Sequence, residues 1–216
     1  MSHSPHSLRL FLIRHGETVS NREMRYLGSR DEPLAESGLL QAGRLAEALA
    51  PLPVRAVYAS PLRRAADTAS RVAAARDLPL LLEPRLREQC FGEWEGLTRT
   101  EILAGQEREE LLRWEADLSL PPPGGESLAA VQERVLELAE DLGRRHAGDW
   151  IALVSHVGPI KALLCAALGV PLAAARRMFL DPGTLCVVDW GERPVVRLFN
   201  SHGHLGWESA RWMSAG

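Results

Sequence analysis

Two histidines stand at the ends of apolar runs, and the polar groups beside them suit a phosphate ester. Residues 8–18 read Leu-Arg-Leu-Phe-Leu-Ile-Arg-His-Gly-Glu-Thr, an apolar run that stops abruptly at Arg14, His15 and Gly16, with Asn21 a few positions on. Residues 151–158 repeat the pattern as Ile-Ala-Leu-Val-Ser-His-Val-Gly, ending in His156, Val157 and Gly158. A guanidinium presents N–H donors in a fork that matches phosphate oxygens, and an imidazole nitrogen and a carboxamide add further contacts. Between these stretches lie Ser60-Pro61-Leu62-Arg63-Arg64, which follows another apolar run, and Leu86-Arg87-Glu88-Gln89. Arg63 is read as a phosphate ligand because it follows a strand's carboxyl end. Its neighbour Arg64 is read as solvated.

Chemistry at these positions needs elements that bring them together. Residues 10–13 are too few for a helix and read as a buried strand, as do 54–59 and 151–155. In open α/β sheets ligands bind at the carboxyl ends of the strands, so the histidines and Arg63 are expected to converge on one pocket. Strands alternate with helical patterns throughout, which predicts a three-layer α/β/α sandwich with a central, mostly parallel sheet. A helix over 36–50 is stopped by Pro51 and Pro53, and Pro61 suits the first turn of the next, which carries Arg63, Ala66, Ala69 and Val72. Residues 78–82 read as a short strand and 98–118 as one charged helix. The Pro-Pro-Pro-Gly-Gly break at 121–125 reads as a rim loop before an amphipathic helix over 127–145. A helix at 158–168 and strands at 184–190 and 195–200 complete the pattern.

The chain has 216 residues, 46% apolar and 25% charged, with a formal charge of −3. These values describe one globular domain and give no reason to expect a nucleic acid or an acidic membrane as partner. Residues 1–7, with His3 and His6, read as a disordered lead-in, 8–206 as the domain and 207–216 as a tail. Three cysteines without a Cys-x-x-Cys spacing argue against a disulfide framework and for a cytoplasmic protein. His202 and His204 lack a third ligand at helpful spacing, so no metal is expected.

Four motifs in this order, over roughly residues 8–204, resemble the histidine phosphatase superfamily, the phosphoglycerate mutase-like proteins. The resemblance implies that His15 is the nucleophile and becomes a phosphohistidine, and that Glu88 protonates the leaving oxygen and later activates water. It implies that Arg14, Arg63 and His156 supply charge, with Asn21 and the backbone N–H of Val157 as added phosphate donors. No cofactor is implied. Mutases resembling this chain carry Glu-Arg where it has Glu88-Gln89, and Trp-Arg-Arg where it has Trp114-Glu115-Ala116. These differences favour a phosphatase acting on a small phosphate ester. The stretches 122–127 and 155–161 look like those of α-ribazole phosphatases and of broad-specificity and sugar-phosphoglycerate phosphatases. A cofactor-dependent mutase and a non-catalytic phosphate-binding module stay open as alternatives, as does a homodimer.

Overall fold

A computed structural model describes residues 7–207, 210 and 211. Most of the expected lead-in, with His3 and His6, lies outside the described residues. Strands β1 (Leu8–Arg14), β2 (Val54–Ala59), β3 (Leu80–Leu82), β4 (Trp150–Ser155), β5 (Leu185–Trp190) and β6 (Val195–Ser201) form one sheet in the order β3-β2-β4-β1-β5-β6. The first four are mutually parallel; β5 runs antiparallel to β1, and β6 to β5. The mostly parallel sandwich expected from the sequence is the architecture observed.

Period-two alternation sends successive strand residues to opposite faces. Leu10, Leu12, Ile151 and Leu153 pack with Val131, Val135 and Leu138 of α6 (Leu128–Arg145) and with Leu163 and Leu164 of α7 (Val157–Leu168). Phe11, Ile13, Val57 and Val154 face the other way, onto Leu45 and Leu49 of α2 (Glu36–Leu49) and Ala69 and Val72 of α3 (Arg63–Ala74). A one-turn helix, α1 (Val19–Arg22), follows β1 and is fixed by reciprocal hydrogen bonds between Thr18 and Asn21.

The expected helix over 98–118 is instead two, α4 (Arg99–Ala104) and α5 (Arg108–Ala116), because α4 ends at Gly105. They pack a separate cluster of Trp94, Ile102 and Leu111, against which Tyr26, Phe91 and Trp114 lie. The predicted strand over 78–82 shortens to the three residues of β3. No helix among the described residues is long and apolar enough to cross a membrane.

Candidate active site

The sheet register brings the two histidines together. Arg14 is the Cα partner of Ser155 across β1 and β4, and the N–H of His15 donates to Ser155 O at 3.0 Å. The rings of His15 and His156 therefore face each other, centroids 5.0 Å apart. Beside them is a cavity of about 160 Å³ whose wall includes Arg14, His15, Asn21, Arg64, Glu88 and Val157.

His15 Nδ1 lies 2.7 Å from Gly16 O. A carbonyl only accepts, so Nδ1 carries the proton and the Nε2 lone pair is left for another partner. Burial, reinforced by Arg64 and Arg14, holds the His15 pKa well below its ordinary value, and the ring is neutral at pH 7. Glycine is required next to it: a Cβ on Gly16 would stand 2.5 Å from Gly38 O, where the loop crosses the start of α2. His156 is also pushed well below its ordinary value, by burial and then by Arg64 and His15. Both its ring nitrogens are buried without a hydrogen-bond partner. An anion placed against the ring would favour its protonated form.

The arginines at 63 and 64 are placed opposite to the sequence reading. Arg63 points to solvent, its side chain 61% exposed, with Nε 3.6 Å from Asp67 Oδ2. It takes no part in the cavity wall. Arg64 is 1% exposed and lines the cavity. Its Nη1 donates to Arg30 O and its Nη2 to Gly28 O, both at 2.7 Å, while Nε is buried and unpartnered. Helical spacing gives the reason and was the available signal. Arg64 shares a face with the buried Thr68 and Val72, whereas Arg63 shares one with the half-buried Asp67. The arginine of α3 that lines the cavity is therefore Arg64.

Arg14 Nη1 donates to Leu180 O at 2.5 Å, and its Nε is likewise buried without a partner. Burial, then repulsion from Arg211, lowers the guanidinium pKa to about 10, so it stays charged at neutral pH. Glu88 borders the cavity with one oxygen fixed: Oε1 accepts from the N–H groups of Gln89 at 2.9 Å and Gly158 at 3.0 Å. Asn21 lines the cavity with its carboxamide oxygen accepting from Thr18 N–H at 3.2 Å. Val157 opens α7, whose first-turn N–H groups have no intrahelical acceptor and favour an anion.

Other site features were not read from the sequence. Arg211, in the stretch read as a tail, reaches back to Glu17 Oε1 at 2.8 Å and Asn21 O at 3.1 Å. Tyr26 and Phe91 form the apolar lip. His202 is taken by Asp181 at 2.9 Å and His204 by Gly183 O at 2.8 Å. Among the described residues no three His, Cys, Asp or Glu side chains gather as metal ligands do.

A buried neutral imidazole, two guanidiniums and a carboxyl thus gather around one cavity beside the carboxyl ends of β1 and β4. Residues 10–202 match the family model described as Histidine phosphatase superfamily (branch 1). The chain belongs to the histidine phosphatase superfamily, and its matched relatives include phosphatases. It is 35% identical to Phosphoserine phosphatase 1 of Hydrogenobacter thermophilus over 201 residues, covering 92% of this chain and 95% of that protein. The solved Alpha-ribazole Phosphatase from Shigella flexneri superposes with a TM-score of 0.80 at 32% identity, covering 89% of this chain and 96% of that one. The Bifunctional protein Rv2228c of Mycobacterium tuberculosis is 39% identical over 200 residues. That match takes in 91% of this chain and 55% of Rv2228c, so the chain spans about half the length of that relative.

Proposed function

We propose that the protein hydrolyses a small phosphomonoester through a phosphohistidine at His15. The reading is carried by the Nδ1–Gly16 O bond, which leaves Nε2 as the lone pair beside a cavity lined with unpartnered donors. Arg14, Arg64 and His156 hold the phosphate oxygens, joined by Asn21 and the Val157 N–H. Nε2 attacks phosphorus in line and the bond to the alcohol oxygen breaks. Glu88 gives its proton to that oxygen. The phosphorylated imidazole keeps its Nδ1–H, so Gly16 O steadies the positive charge that develops on the ring. Water then enters: the Glu88 carboxylate takes a proton from it, its oxygen attacks phosphorus, and the P–N bond breaks to release phosphate. The guanidiniums supply the fixed positive charge that a metal ion supplies elsewhere. The likeness of 122–127 and 155–161 to α-ribazole phosphatases makes α-ribazole 5'-phosphate and sugar phosphates the first substrates to assay.

The test is brief exposure to a radiolabelled phosphomonoester followed by quenching. An acid-labile, base-stable label on His15 is expected, with His15→Ala unlabelled and at least ~10³-fold slower. Turnover without such a label, or more than a tenth of wild-type activity in folded His15→Ala, overturns the proposal.

A further inference from the structure

A second cavity, of about 460 Å³, opens beside the first. Tyr26, Glu88, Phe91 and Val157 belong to both walls, so an alcohol leaving phosphorus next to Glu88 departs into it. Its wall is apolar on one side: Tyr26 and Phe91 have centroids 4.9 Å apart, Phe91 and Trp114 6.0 Å, and Leu118 and Leu128 extend the surface. That surface suits a ring rather than a short polyol.

Its charged groups are unequally engaged. Glu115 is forked by Arg99 at 2.6 and 2.9 Å. Arg176 donates to Trp114 O at 2.6 Å and lies over the Trp114 ring, 5.6 Å from the centroid. Lys161 is half-buried in the wall, and its side chain makes no hydrogen bond or ion pair with any described residue. It follows Val157 by one helical turn, so it stands about 6 Å along α7 from the phosphate end. A half-buried ammonium that makes no hydrogen bond or ion pair, and feels a carboxyl only at longer range, from Glu88, gains from an anionic ligand group.

Accepting the phosphatase reading, the geometry points to a substrate whose alcohol half carries a ring and, beyond it, an anionic substituent such as a carboxylate. The ring lies against Tyr26, Phe91 and Trp114, and Lys161 binds the anion.

Calorimetric binding of methylphosphonate, benzylphosphonate and 4-carboxybenzylphosphonate tests this without turnover. Affinity is expected to rise along the series. The carboxylated ligand should bind at least tenfold tighter than its parent, about 1.4 kcal/mol. That ratio should fall to near one in Lys161→Met, which keeps the stem, and return in Lys161→Arg. Equal affinity for all three ligands, or a carboxylate preference that survives Lys161→Met, overturns the assignment. Carboxylate preference in a protein that forms no phosphohistidine counts against the proposed function alone. Phosphohistidine turnover with no such preference counts against this subsite alone.

Discussion

The backbone N–H of Gly158 donates to Glu88 Oε1 at 3.0 Å, and a Cβ on residue 158 would stand 2.5 Å from that same oxygen. A glycine at the start of α7 thus sets where the carboxyl can lie. With Oε1 fixed by two backbone donors, the other oxygen is the one left for proton transfer.

Removing the acidic proton should therefore matter in proportion to how badly the leaving group needs it. Glu88→Gln is expected to slow a sugar-alcohol ester about 10²-fold, and p-nitrophenyl phosphate, whose phenolate leaves unaided, far less. Gly158→Ala should show the same selectivity in milder form, because it displaces the carboxyl without removing it. The measurement is kcat/KM for both esters with each variant. Equal slowing of the two esters would make Glu88 a positioning group rather than an acid.

Arg63 and Arg64 should separate cleanly. Arg64→Met removes a buried charge beside His15 and is expected to cost about 10²-fold or more in kcat/KM, since hydrogen bonds to charged groups contribute about 1.5–3 kcal/mol each. Arg63→Met breaks only an exposed pair with Asp67 and should stay within about twofold of wild type. Circular dichroism checks that Arg64→Met folds, because the side chain also ties down Arg30 O and Gly28 O. The reverse ranking would restore the arginine that the sequence favoured.

That reversal marks where the sequence was legible. Apolar runs with abrupt polar ends located β1, β2 and β4, since buried parallel strands leave little else to read. The expected convergence of His15 and His156 follows from two such ends meeting at the carboxyl end of the sheet, on its central strands β1 and β4. Turning Arg64 away from Arg63 into solvent overlooks its four-residue spacing to Thr68, which points it inward. The break at Gly105 was hidden by charged residues that suit a helix on either side of it. Arg211 owes its place to tertiary packing alone, returning from far along the chain to Glu17, whereas Lys161 stands one helical turn after Val157, a spacing that the sequence carries.

Stability should fall as the medium becomes mildly acidic. His15 and His156 are held well below their ordinary values in the fold, whereas in the unfolded chain they titrate near ~6.5. Between those two limits the unfolded state binds more protons, so stability present above about pH 6.5 is lost progressively as pH falls from there toward the lower folded-state values. The slope is at most about 1.4 kcal/mol per pH unit for each ring. His204, lowered by burial, acts in the same direction. Glu17, Glu83, Glu115 and Asp189 have lowered values and contribute their own loss only at more acid pH. Urea unfolding at pH 7.5 and 5.5 reads the effect, which His156→Gln should reduce and saturating inorganic phosphate should offset. A flat profile in wild type would mean that the rings take up protons in the fold as readily as in the unfolded chain.

Water, not a sugar acid, should be the final phosphoryl acceptor. Returning the phosphoryl group to a three-carbon acid calls for basic forks gripping its second anionic end. Here the Gln89 side chain donates to Glu126 O at 2.7 Å, and Arg99 is forked by Glu115. Ala116 offers no donor. Lys161 is a single ammonium one turn along α7, placed for the far end of a larger alcohol. Hydrolysis should therefore need no 2,3-bisphosphoglycerate, and EDTA should leave the rate unchanged, since on the proposed reading Arg14, Arg64 and His156 supply the positive charge. Phosphorus NMR of 3-phosphoglycerate with catalytic 2,3-bisphosphoglycerate distinguishes the outcomes. Slow release of inorganic phosphate, or none, is expected. Rapid accumulation of 2-phosphoglycerate with little free phosphate would make the chain a mutase.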